Sequence, residues 1–234
     1  LSADESSAKT SFTGYASCSL GDTLALFYPD ISTFENVTGT YQNNDDNMTL
    51  NISQQDGKLE TIQKRFDFCS GSAKVTSFSG FNAIAEYGVM KNITAIAKFN
   101  FIYNGKPLTD ITSIKVSDKE NLYMQRVFNL RDQVYVDTLD DNKLASNGIS
   151  FRFAEGVSSY YQVFFPGTMN LTLSIEAGGK IYVGHLAGTF DAGCYYPTEV
   201  YCSANSLIGS LPVVSDKIGQ LWATGNLYYQ NGAF

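Results

Sequence analysis

Between residues 93 and 103 the chain sets Ile93, Ala95, Ala97, Phe99, Phe101 and Tyr103 at every second position, with Thr94, Lys98 and Asn100 between them. A period of two places one set of side chains on one face of an extended strand. Asn104-Gly105 follows, the pair best suited to a two-residue hairpin turn, and Leu108, Ile111, Ile114 and Val116 are expected to return from it. The texture recurs. Ile149, Phe151 and Phe153 alternate with Ser150 and Arg152, and Leu171, Leu173 and Ile175 alternate up to Gly178-Gly179. Ile181-Tyr182-Val183 then resumes as a hairpin partner. Further strands are expected over 122–130, 134–136 and 160–165, with a last one or two at Leu207-Ile208 and Leu211 to Val214. Thr23 to Tyr28, ended by Pro29, reads as a buried strand. Short strands punctuated by Gly, Pro and Asn predict an all-β chain of antiparallel, sandwich-like layers.

One stretch breaks the pattern. Leu50 and Ile52 alternate, Asp56-Gly57 interrupts, and Leu59, Ile62 and Phe66 then follow at helical spacing. Asp56 can cap that helix by accepting a hydrogen bond from an early backbone N–H. The helical pattern ends at Ser70-Gly71-Ser72. The expectation is one short helix in a β chain, pinned by Leu59, Ile62 and Phe66.

The texture change between Gly80 and Gly88 divides the chain into two tandem β-sandwich-like domains. The expected bounds are 1–85 for the first and 86–214 for the second. Residues 215–234 form a tail that holds Trp222, the only tryptophan, and starts a fresh strand late. No fixed-period repeat is present.

Composition excludes several functions. The formal net charge of −7 argues against a nucleic-acid partner, which needs a basic surface. No apolar run reaches the roughly 18 residues of a membrane-spanning helix. The polar start, Leu1-Ser2-Ala3-Asp4, reads as a mature or trimmed end. The four cysteines form no Cys-x-x-Cys pair and His185 is the only histidine, so no zinc site is expected. Cys194 and Cys202 flank a Tyr/Pro-rich segment and could form a disulfide across a loop; buried free thiols are the alternative.

No catalytic constellation can be assembled, and no enzyme, cofactor or metal site is expected. His185 lies in a strand-like setting and reads as a surface or packing residue. Asp45-Asp46 and Asp140-Asp141 sit in polar turns without the ligand spacing of a calcium loop. Gly178-Gly179 joins strand to strand, whereas a phosphate-binding loop needs a helix. Asn36, Asn47, Asn51, Asn92 and Asn170 begin Asn-x-Ser/Thr sequons, a glycan signal only in a eukaryotic secretory pathway. Aromatic residues are dense at Tyr160-Tyr161, Tyr195-Tyr196-Pro197, Tyr201 and Trp222. A platform built on Tyr195, Tyr196, Tyr201 and Trp222 could stack on sugar C–H faces, which would make the chain a secreted carbohydrate-binding module. Packing is the competing use of the same rings.

Four pieces together resemble the fimbrillin family, pilins of Bacteroidales-type fimbriae. They are Gly21 to Pro29, Gln55 to Phe68, Ile93 to Val116, and Phe165-Pro166-Gly167 through Gly179-Lys180-Ile181-Tyr182. The resemblance implies two β domains in a pilus subunit or tip adhesin at the cell surface, exported to the outer membrane as a lipoprotein precursor. It implies other fimbrial subunits as partners, joined by donor-strand exchange, and adhesion to host or bacterial surface glycans or proteins. Residues near Lys9 are where trimming would be expected. Asp22-Thr23-Leu24 and Asp137-Thr138-Leu139 are similar to the O-glycosylation signal of exported Bacteroidetes proteins. The segment from Trp222 to Leu227 is similar to a linker that, in multi-domain members, introduces a further domain.

Overall fold

The computed structural model describes residues 2–3, 12–29, 37–39, 46–86, 88–118, 121–136, 148–204, 213–215 and 220–221. Trp222, Lys9, Asn36, Thr138, Asp140-Asp141, Leu207-Ile208 and most of the tail lie outside them. The first half holds β1 (Ser2–Ala3), β2 (Phe12–Thr13), β3 (Thr23–Tyr28), β4 (Val37–Gly39), β5 (Asn47–Asn51), α1 (Leu59–Arg65), β6 (Cys69–Ser79), β7 (Asn82–Ala85), β8 (Lys91–Asn92) and β9 (Ala95–Tyr103). The second half continues with β10 (Lys106–Pro107), β11 (Ile111–Ser117), β12 (Gln125–Asn129), β13 (Val134–Tyr135), β14 (Ile149–Val157) and β15 (Ser159–Phe164). It ends with β16 (Gly167–Ala177), β17 (Lys180–Phe190), β18 (Tyr195–Ala204), β19 (Val213–Ser215) and β20 (Gln220–Leu221). The described residues are all-β with one short helix, as the periodicity predicts.

The largest sheet runs β10-β9-β18-β17-β16-β11-β14, with β15 sharing with β10 the edge of β9 that faces away from β18. It folds over on itself. Phe151 on β14 and Tyr160 on β15 stand far apart along the strand order, yet their ring centroids are 5.2 Å apart. The enclosed core takes the alternate residues Ala95, Ala97, Phe99 and Phe101 of β9 and Met169, Leu171, Leu173 and Ile175 of β16. Tyr160 stacks on Phe99 at 5.3 Å inside it. Gly178 (φ 54°) and Gly179 (φ 71°) close the β16–β17 hairpin in the left-handed conformation that a tight two-residue turn requires.

The turn after β9 forms as expected, with Asn104 at φ 50° and Gly105 at φ 72°. The return strand does not. β10 pairs with β9 only at Lys106↔Tyr103 and Pro107↔Ile102. Pro107 lacks an N–H to extend the ladder, and Asp110 at φ 55° redirects the chain. β11 then pairs with β14 and β16 instead. Gly156 of β14 permits that crossing, because a Cβ there would meet the Asp110 Cα at 2.5 Å.

A second core gathers Met48, Leu50 and Ile52 with Ile62, Phe66 and Phe68. It also takes Ile93, Phe128, Leu130, Val163 and Phe165, so it crosses residue 85, where the sequence reading divides the chain. The reason is strand pairing. β5 needs a partner, and β12 supplies one in register from Gln125↔Asn51 to Asn129↔Asn47. Residues 1–85 alone do not build this core. Ile62 and Phe66 are buried, whereas Leu59 is 36% exposed and does not pin the helix. Asp56 is not the helix cap either. Lys58 holds that position without a side-chain cap bond. Asp56 instead organises the preceding turn, its Oδ1 accepting from Lys58 N at 3.0 Å and its Oδ2 from the Thr61 hydroxyl at 2.8 Å. β3, read as buried, is an edge strand with alternating exposed and half-buried residues, paired only with β6 among the described strands.

Candidate functional site

β18 connects the two layers of the large sheet. From Tyr195↔Ile96 to Tyr201↔Ile102 it runs parallel to β9, and at Cys202–Ala204 it turns antiparallel to Gly184–Tyr182 of β17. Strand alternation then sorts its aromatic residues. Tyr195 (53% exposed) and Tyr201 (70% exposed) face outward with Pro197 and Glu199. Tyr196 and Val200 face the core. Tyr196 lies edge-on to Phe190 at 5.1 Å, and its hydroxyl accepts a hydrogen bond from the Asp191 N–H at 2.8 Å. It fastens the β17–β18 turn. Tyr195 and Tyr201 thus share a surface that Tyr196 does not reach, and Tyr160 is wholly buried.

Register brings other groups to that outer face. Lys98 and Asn100 of β9 stand opposite Pro197 and Glu199 of β18 on one side and opposite Tyr161 and Ser159 of β15 on the other. The Lys98 ammonium lies 5.8 Å from the centroid of the Tyr161 ring. Tyr201 Oη donates to Glu199 Oε2 at 3.0 Å, and that bond raises the Tyr201 hydroxyl above the usual phenol range. These neighbours were out of reach of sequence reasoning, because a parallel β9–β18 pair joins residues about a hundred positions apart.

The cysteine expectation is corrected. All four thiols are free. Residues 195–204 are one extended strand, so Cys194 and Cys202 are separated by roughly 26 Å at about 3.3 Å per residue. A disulfide needs Cα atoms within about 7 Å. Burial pushes Cys202 up to about 11, against a weaker opposing hydrogen bond from the Ile102 backbone.

β17 and β18 also part company. β17 pairs with β16 along its full length, but with β18 only through Tyr182, Val183 and Gly184. Between that short ladder and the turn at 191–194, residues 185–190 and 195–201 have no strand pairing with each other. A Cβ on Gly188 would meet nothing within 4 Å, so the face of β17 that carries Leu186 and Phe190 has open space at that position. Residues 185–190 carry no Lys, Arg, Asp or Glu, the charges that usually guard an open edge.

His185 is exposed on β17, with its Nδ1 3.3 Å from the Thr172 hydroxyl. Among the described residues no group of three His, Cys, Asp or Glu side chains could hold a metal ion. No helix among them is long and apolar enough to cross a membrane.

No known family's sequence profile matches the chain, and no curated protein matches it by sequence. Solved structures do. A "putative cell adhesion protein" from Bacteroides ovatus superposes with a TM-score of 0.53 at 17% identity, over 84% of this chain and 73% of that one. A second protein so named, from Bacteroides uniformis, gives a TM-score of 0.46 at 13% identity, over 78% and 72% of the two chains. A fimbrial protein from Bacteroides vulgatus gives 0.38 at 8% identity, over 77% and 75%. The chain has the fold of the Bacteroides ovatus protein.

Proposed function

We propose that this chain is a fimbrillin-type subunit, a non-enzymatic adhesive protein of the cell surface that joins its neighbours by strand addition. The observation that carries this reading is the opening between β17 and β18. Unpaired strand edges expose backbone N–H and C=O groups, and a strand from a neighbouring subunit satisfies them. The uncharged β17 edge suits such a partner, since two copies of an acidic chain repel except where neutral surfaces meet. The shared fold with a protein named for cell adhesion supports the surface role. Export as a lipoprotein precursor to the outer membrane belongs to the same proposal.

Hydrogen exchange across a concentration series tests it. The expected result is head-to-tail oligomers in which amides of 185–190 and 195–201 gain protection as assembly proceeds. Introducing lysines at the exposed Ala187 and Thr189 should abolish assembly and leave the melting temperature within a few degrees. A monomer at every concentration, before and after trimming near Lys9, would refute the reading.

A further inference from the structure

We propose that the outer face of the β15–β9–β18 ledge is a binding platform for a neutral oligosaccharide. This names a ligand for the adhesive half of the reading above and does not depend on strand addition.

The platform has aromatic rings at its corners and hydrogen-bonding groups in its middle. Tyr195 and Tyr201 lie on one face of one strand, six residues apart, which is roughly 20 Å. Tyr161 stands two strands away, about 10 Å across, half-buried against the second core with the Lys98 ammonium over its ring, so it bounds the platform while Tyr195 and Tyr201 supply its open rings. Lys98, Asn100 and Glu199 fill the interval in paired register. A pyranose presents C–H faces that stack on rings and hydroxyls that take hydrogen bonds at its rim, so alternating rings and polar groups match it. A protein partner would favour an apolar centre with a polar rim, the reverse of this pattern. The length between Tyr195 and Tyr201 suits a chain of several sugars rather than one. Lys98 and Glu199 cancel in charge, which selects a neutral glycan over a sialylated or sulfated one in a chain of net charge −7. The Tyr201–Glu199 hydrogen bond holds the most exposed ring before any ligand arrives, which lowers the ordering cost of binding.

The test is a printed panel of neutral, sialylated and sulfated oligosaccharides from dimers to hexamers, followed by calorimetry on the best neutral binder. Tyr195→Ala and Tyr201→Ala should each weaken binding about fivefold, and together about twentyfold or more. Glu199→Gln should weaken it while leaving the circular dichroism spectrum unchanged. Phe81→Ala, on the β6–β7 hairpin, should leave affinity unchanged. Silence across the panel, binding confined to acidic glycans, or binding lost in Trp222→Ala but kept in the double tyrosine variant would each overturn the platform. None of these outcomes bears on the exchange protection of residues 185–201 during assembly, so the two proposals fail separately.

Discussion

The Gln55 side chain makes both backbone hydrogen bonds of Val163. Its Oε1 accepts from Val163 N at 2.6 Å and its Nε2 donates to Val163 O at 3.2 Å, across 108 positions of sequence. One amide thus stands in for a neighbouring strand at the β15 edge, at a residue only 7% exposed. Next to it the Tyr161 N–H donates to Gly57 O at 2.9 Å. This pair of contacts ties the helix-bearing core to the large sheet.

Replacing Gln55 by leucine leaves a buried N–H and a buried C=O without partners. Each such loss costs about 1–3 kcal/mol, so Gln55→Leu should destabilise by about 2–6 kcal/mol in urea unfolding. Gln55→Glu should be worse at neutral pH, because a carboxylate would face the Val163 carbonyl, and should recover part of the loss in acid. An unfolding midpoint unchanged in Gln55→Leu would show that water replaces the amide without cost.

Gly184 marks the point where β18 leaves β9 for β17. A Cβ there would meet Val200 Cγ1 at 2.4 Å and Cys202 Sγ at 3.2 Å. Gly184→Ala should therefore cost about 1–3 kcal/mol through overpacking. Val200→Ala in the same molecule removes the clashing methyl and should restore part of it. Additive losses in the double variant, read from a double-mutant cycle, would mean that the two residues do not touch.

Much of this was legible in the sequence because strand period is a local property. The alternation from Ala95 to Phe101 names the buried face correctly, and all four of those residues are fully buried. Helical spacing finds Ile62 and Phe66 for the same reason. What eluded it depends on partners distant in sequence. The run from Thr23 to Tyr28 looks like any buried strand, but among the described strands it pairs with β6 alone, and its residues are exposed or half-buried. The phrase around Gln55 is conspicuous, yet nothing local shows that its amide completes a strand edge. At the candidate site the period of two separates Tyr195 and Tyr201 from Tyr196 in the sequence itself. Lys98, Asn100 and Tyr161 come to the same face only through cross-strand register. Extended backbone through 195–204 also rules out the disulfide, a consequence of strand length rather than cysteine spacing.

The thiols should react in a fixed order. Cys194 is exposed, while burial, with help from the nearby Asp67 charge, pushes Cys69 up to about 12. Cys202 stands at about 11. At about pH 8 a thiol of that acidity is ionised in roughly one molecule per thousand, and the thiolate is the reactive form. Native-state iodoacetamide labelling followed by mass spectrometry should modify Cys194 first, Cys202 far more slowly and Cys69 last. Cys69 labelled as fast as Cys194 would mean that the β6–β8 pairing opens readily.

Asp67 should make the protein less stable at neutral pH than in mild acid at that one site. Its carboxyl is raised above 3.8, chiefly by burial, with the Asn92 side-chain amide opposing the shift by donating to Oδ1 at 2.5 Å. The folded state therefore binds the proton more tightly than the unfolded state does. The penalty for holding the ionised form is absent below about pH 3, grows as pH rises through the folded value, and is constant above it. Asp67→Asn keeps an acceptor for Asn92 and removes the buried charge. The variant should melt higher than the parent at pH 7 and level with it at about pH 3, measured by circular dichroism in matched buffers. A lower melting temperature at pH 7 would show that the charged hydrogen bond to Asn92 outweighs desolvation, reversing the sign argued from burial.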